Sequence, residues 1–168
     1  MSAPDPELDV VVGALVAAKA DFVVVGGFAV IANRFVRATE DIDLLVPDDP
    51  ANDRHLIAAL RALDGVRQRD QQPLADSHIL AVDHLRAVTR AGLIDVFRGG
   101  APPLDFATVA ERAIEADYGA ATFRVAGLRS IVGFKRLADR PQDRLDLERL
   151  QEIHGELPID PIPGLDDI

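Results

Sequence analysis

The sequence predicts a mixed α/β domain: a small mixed sheet flanked by helices, closed by a helical segment at the C-terminal end. Three observations predict it. Two short apolar runs, "DFVVVGG" and "DIDLLVP", read as strands and bracket a glycine pair. Helix-period and strand-like runs alternate through the first sixty residues or so. The later segment "LRSIVGFKRLADRPQDRLDLERLQEI" carries helical spacing broken only at Arg140-Pro141. Alternation of this kind makes a layered α/β fold.

Each element can be justified in turn. Leu8, Val11, Val12, Leu15 and Val16 recur at helical spacing, so residues 6–19 read as an amphipathic helix. "DFVVVGG" is a buried strand ending in a tight turn, and "FAVIANRF" is a short helix starting at the glycines. "DIDLLVP" is the second strand, stopped by Pro47. "DDPANDRHLIAALRALDG" has an Asp cap, Pro50 in the first turn, an apolar face of Leu56, Ile57, Leu60 and Leu63, and Gly65 as terminator. "RQRDQQPLAD" reads as an exposed loop and "SHILAV" as a short strand. "LRAVTRAGLIDVF" is a hairpin around a Gly-containing turn. "PPLDFATVAERAIEA" reads as a helix through Phe106, Val109, Ala110, Ala113 and Ile114, and "AATFRVAG" as a strand. Two helices follow, and "HGELPIDPIPGLDDI" is a proline-rich acidic tail, extended or docked.

The chain has 168 residues, enough for one domain with a real core. It contains no cysteine, which removes disulfides and thiolate metal sites. No apolar stretch reaches membrane-span length, and "MSAPDPELD" lacks the basic start of a secretory signal, so the expected location is cytoplasmic. A net charge of −10 argues against a broad surface for duplex nucleic acid. Residues 124–149 nevertheless concentrate Arg124, Arg129, Lys135, Arg136, Arg140, Arg144 and Arg149 among acids. That pattern reads first as a solvated face laced with ion pairs, and second as a local positive patch.

The chemistry lies in the acids. Strand alternation points Asp41 and Asp43 to one face, with Ile42 and Leu44 opposite. Like charges on one face repel, and a divalent cation would neutralise both. Asp95 interrupts another strand-like run, "LIDVF". If the strands are neighbours, the three carboxylates suit a two-metal site for phosphoryl displacement. Taken singly, each acid is better explained by a structural role, a turn cap or an Arg partner, than by catalysis. Gly26-Gly27, between strand and helix, lets backbone N–H groups approach an anion, or simply makes a tight turn. His55, His78, His84 and His154 show no metal-ligand spacing and read as structural or solvent-facing.

Taken together, "VVVGGFAVIANRFVRATEDIDLLV", "LIDVF" and "GFKRLADRPQDRLDLERL" resemble the nucleotidyltransferase superfamily of the DNA polymerase beta type. The last of these segments is similar to small bacterial nucleotidyltransferases related to the toxins of type IV toxin–antitoxin systems. The resemblance covers roughly residues 8–152. It implies the nucleotidyltransferase fold, with residues 1–126 as its core, 127–154 as a helical segment of the same domain and 155–168 as the tail. It implies that Gly26 and Gly27 hold the nucleotide phosphates, with Arg37 and Thr39 flanking them. It implies that Asp41, Asp43 and Asp95 bind two Mg²⁺ ions and that Asp95 helps deprotonate the acceptor hydroxyl. Lys135, assigned with the catalytic residues, and Asp143 resemble polar residues that face the cleft. One departure is Phe28, after the glycine pair, where the superfamily often has a hydroxyl nearby.

The implied reaction moves NMP from an NTP to a hydroxyl of an RNA such as tRNA, a protein or a small molecule. The resemblance also admits a toxin-like role with an antitoxin or regulator protein as partner. Two other readings stand beside it: a non-catalytic member that binds a nucleotide or a partner, and a D-x-D glycosyltransferase. The three acids disfavour the first, and the Gly-Gly strand–helix element disfavours the second.

Overall fold

The structure is a computed structural model that describes residues 3–33, 39–80, 82–119 and 121–166. Among the described residues, seven strands form one mixed sheet in the order β3-β4-β5-β2-β1-β7-β6. The strands are β1 (Val23–Val25), β2 (Asp41–Val46), β3 (Val66–Arg67), β4 (His84–Thr89), β5 (Gly92–Arg98), β6 (Ile114–Tyr118) and β7 (Ala121–Val125). The helices are α1 (Leu8–Ala17), α2 (Gly26–Ala32), α3 (Pro50–Ala62), α4 (Ser77–Leu80), α5 (Phe106–Glu111), α6 (Leu128–Ala138) and α7 (Pro141–His154).

The sheet centre positions the site. β2 runs parallel to β5, antiparallel to β1, and is flanked by both. β4 and β5 form the expected hairpin, with Thr89 opposite Gly92. Ile42, Leu44, Ile94 and Val96 lie in one hydrophobic core with Val11 and Leu15 of α1 and Leu56 and Leu60 of α3. Burying each such side chain contributes about 1.5–3 kcal/mol. This fixes the register of β2, because a slip by one residue would drive the acids into the core. Asp49 caps α3, its side chain accepting from Ala51 N at 3.0 Å. Arg98 then ties the end of β5 to α3, with its Nη2 2.7 Å from the buried Asp53 carboxylate.

α2 packs on β1 and β2, α6 packs on α2, and α7 packs on α6. Asn33 locks this stack: its amide donates to Ala29 O at 2.8 Å and Ala126 O at 3.1 Å. Its own carbonyl lies 2.7 Å from His154 Nε2 at the end of α7.

Two segments depart from the sequence expectation. "SHILAV" is not a strand: Ser77–Leu80 is helix α4, with Ile79 buried. A run this short cannot distinguish the two states by periodicity. The place beside β4 goes instead to Val66–Arg67, whose Arg67 opens the stretch read as a loop, with Val66 also bridging Pro73. The helix expected through Ile114 ends at Glu111, and Ile114 begins β6. Pairing overrides the helix preference of the Ala- and Glu-rich segment. β6 gives β7 an antiparallel neighbour, with Glu115 directly opposite Arg124.

Candidate active site

β2 presents Asp41 and Asp43 on the face opposite Ile42 and Leu44, and β5 places Asp95 in register with Asp43. One carboxylate oxygen from each acid lies within 4.8 Å of the others. The glycine pair makes this convergence feasible. Gly26 has φ +67°, and a Cβ there would collide with Asp43 Oδ2 and lie 2.7 Å from its Cγ. Glycine is thus required twice, for its backbone conformation and for the room it leaves the acid. Gly27 is buried at the second position of α2.

The acids sit uneasily together. Burial, then the charges of Asp41 and Asp95, push the Asp43 carboxyl up to about 7; Lys135 and Arg140 pull against this. Asp41 is also raised, first by burial and then by its hydrogen bond and charge contact with Asp95, while Arg86 works the other way. Among the described residues, no hydrogen bond or ion pair reaches the Asp43 carboxylate. A cluster of oxygen donors that resists full ionisation fits a hard divalent cation.

Two side chains not assigned to the site from the sequence complete this face. Arg86 is paired across the hairpin with Asp95; its Nη1 lies 3.7 Å from Asp95 and its Nη2 3.9 Å from Asp41. His84, read as structural or solvent-facing, is half-exposed, and its Nε2 lies 2.8 Å from Asp95 Oδ1 at the edge of the acid cluster. The signal was the hairpin itself. A two-residue turn at Arg90-Ala91 sets Arg86 opposite Asp95 and His84 opposite Phe97, and period-two alternation puts both on the acid face.

The other predicted residues lie as follows. Thr39 Oγ1 donates to Asp41 O at 3.1 Å, fixing the start of β2. Arg37 lies outside the described residues. Lys135 is buried on α6, its Nζ 3.0 Å from Asp143 and 2.9 Å from Asp146 of α7. Burial pushes Asp143 up, but hydrogen bonds from Arg140 and Lys135 together hold it down at about 2. Arg140, at the turn between α6 and α7, keeps a largely exposed side chain close enough to interact with Asp43 and Asp41.

The basic segment is laced with ion pairs. Arg124 meets Asp21, Arg129 meets Asp160, Arg136 meets Asp166, Arg144 meets Asp139 and Arg149 meets Glu152. That is the solvated, paired surface of the first reading, and not a patch of unpartnered cations. No helix among the described residues is long and apolar enough to cross a membrane.

The sequence model of the family described as "Nucleotidyl transferase AbiEii toxin, Type IV TA system" matches residues 10–159. No curated protein sequence is significantly similar to the chain. Among solved structures, the fold is similar to the crystal structure of ANT(2")-Ia in complex with adenylyl-2"-tobramycin: TM-score 0.58 and 19% identity over 85% of this chain and 84% of that one. It is also similar to the solution structure of the same antibiotic-resistance factor, with TM-score 0.56 and 19% identity over 84% and 81% of the two chains. At this identity the likeness speaks for the fold alone.

Proposed function

The chain belongs to the AbiEii family of nucleotidyl transferase toxins of type IV toxin–antitoxin systems, and from that premise we propose that it moves NMP from an NTP to an acceptor hydroxyl, with Asp41, Asp43 and Asp95 holding two Mg²⁺ ions. One observation carries the metal assignment: three carboxylates from two paired strands converge within 4.8 Å. The Asp43 carboxyl, pushed up to about 7 by burial and by the charges of Asp41 and Asp95, has no side-chain hydrogen-bonding partner among the described residues.

When bound, such ions polarise the phosphoryl group and lower the pKa of the attacking hydroxyl. The chain's own residues do the rest. Asp43 and Asp95, in register on β2 and β5, hold the metal-binding oxygens on one rigid sheet face. Gly26 leaves that face open, and Gly26 and Gly27 give the nucleotide phosphates backbone access beside it. Arg86 and Arg140 flank the acids and offer positive charge to the departing pyrophosphate. Lys135 acts from behind, holding α7 in place while its positive charge favours the ionised form of Asp43. Residues 1–126 form the catalytic core of this proposal, 127–154 its helical wall and 155–168 a tail.

The toxin role, with an antitoxin protein as partner, rests on the family. The acceptor is an RNA, a protein or a small molecule. The test is incubation of the purified protein with each α-labelled NTP, Mg²⁺ and cell extract, followed by separation of labelled RNA, protein and small molecules. Label should enter one fraction, vanish with chelator, and fall to background in Asp41→Ala/Asp43→Ala. Absence of transfer with every NTP, together with absence of metal-dependent NTP binding, would sink the reading.

A further inference from the structure

His84 lies outside the acid cluster yet is tied to it. Its Nε2 contacts Asp95 Oδ1 at 2.8 Å. Its ring stacks on Phe97 of the neighbouring strand, centroids 4.8 Å apart and planes 8° from parallel. Asp95 is buried, whereas the His84 side chain is 47% exposed. A ring that exposed adds little to the core, so the contacts it makes act locally. An ionised carboxylate can only accept, so against that form of Asp95 the contact requires the tautomer with the proton on Nε2. The Phe97 ring limits how far the imidazole can turn, and cross-strand pairing sets the two rings face to face.

We propose that His84 is a positioning residue: held against Phe97, it fixes the orientation of the Asp95 carboxylate for divalent-cation binding. This rests on the metal reading above. Groups that hydrogen-bond a metal ligand orient it, and losing one typically weakens metal binding about 10–100-fold. Arg86 cannot substitute, because it stands 3.7 Å from Asp95 and is shared with Asp41.

The experiment is titration of the metal-free protein with Mn²⁺, followed by electron paramagnetic resonance, with thermal unfolding of the same samples without metal. His84→Ala should weaken Mn²⁺ binding by about 10-fold or more with little change in metal-free unfolding. His84→Gln, whose amide can donate from a similar position, should recover part of the affinity. Phe97→Leu should shift binding in the same direction as His84→Ala, by less. Wild-type affinity in His84→Ala, with binding abolished in Asp43→Ala, would overturn this proposal alone. Equal losses in His84→Ala and His84→Gln would overturn it too. No Mn²⁺ binding by the wild type would overturn the metal reading and this inference with it.

Discussion

A methyl group at position 26 would drive into the Asp43 carboxylate, and the residue that carries it would have to hold φ +67°. The second demand alone costs a non-glycine residue roughly 1–2 kcal/mol. The first displaces the acid that lies in register with Asp95. Gly26→Ala should therefore lose more function than stability: urea midpoints drop modestly, while the rise in thermal midpoint on adding Mg²⁺ disappears. A Gly26→Ala protein that keeps the full Mg²⁺ response would show that Asp43 takes no part in cation binding. The glycine pair is visible in the sequence, but its reason is not. "VVVGG" announces a turn or an anion cradle, whereas the contact with Asp43 exists only once β1 and β2 are paired. Asp41 and Asp43 are legible because alternation along one strand is local. His84 is harder, because its place depends on the length of a turn six residues away.

Helices α6 and α7 are joined by a charge cluster rather than by apolar packing alone. Lys135 is only 6% exposed and contacts two acids, Asp143 and Asp146, that are themselves buried. Removing one member of a buried ionic group strands the others and costs about 3–5 kcal/mol. Lys135→Met should lower stability to urea by about that much, and Lys135→Met/Asp143→Asn/Asp146→Asn should recover a large part of it. A loss below about 1 kcal/mol for the single variant would mean that water already solvates the cluster. The element boundaries show what sequence can carry. α3 and α7 have proline in the first turn and helical spacing, and both are found where expected. β6 was hidden, because "AIEADY" has no strand pattern of its own and becomes one only against β7. α4 was hidden for the opposite reason: its apolar run is too short to declare a period.

At the scale of the whole molecule, the chain beyond α7 returns across the helical end, a question that its proline-rich composition left open between extended and docked. Ile162 is buried and Leu157 packs against the core. Asp160 accepts from Arg112 at 2.5 Å and Arg129 at 2.7 Å, and Asp166 from Arg136 at 2.6 Å. These contacts differ in kind. The ion pairs with Arg112 and Arg129 engage side chains 40% and 46% exposed, where water and salt compete, so each is worth at most about 1 kcal/mol. Ile162 is only 5% exposed, and truncating a buried Ile costs about 2–5 kcal/mol. The tail is therefore held chiefly by its apolar anchor, with the charges setting its path. Ile162→Ala should destabilise the protein more than Asp160→Ala does, and only the Asp160→Ala effect should shrink as salt is raised from low to molar concentration. Urea unfolding of both variants at two salt concentrations checks this. The reverse order, or an Ile162→Ala effect that salt erases, would make the arginine surface the true seat of the tail.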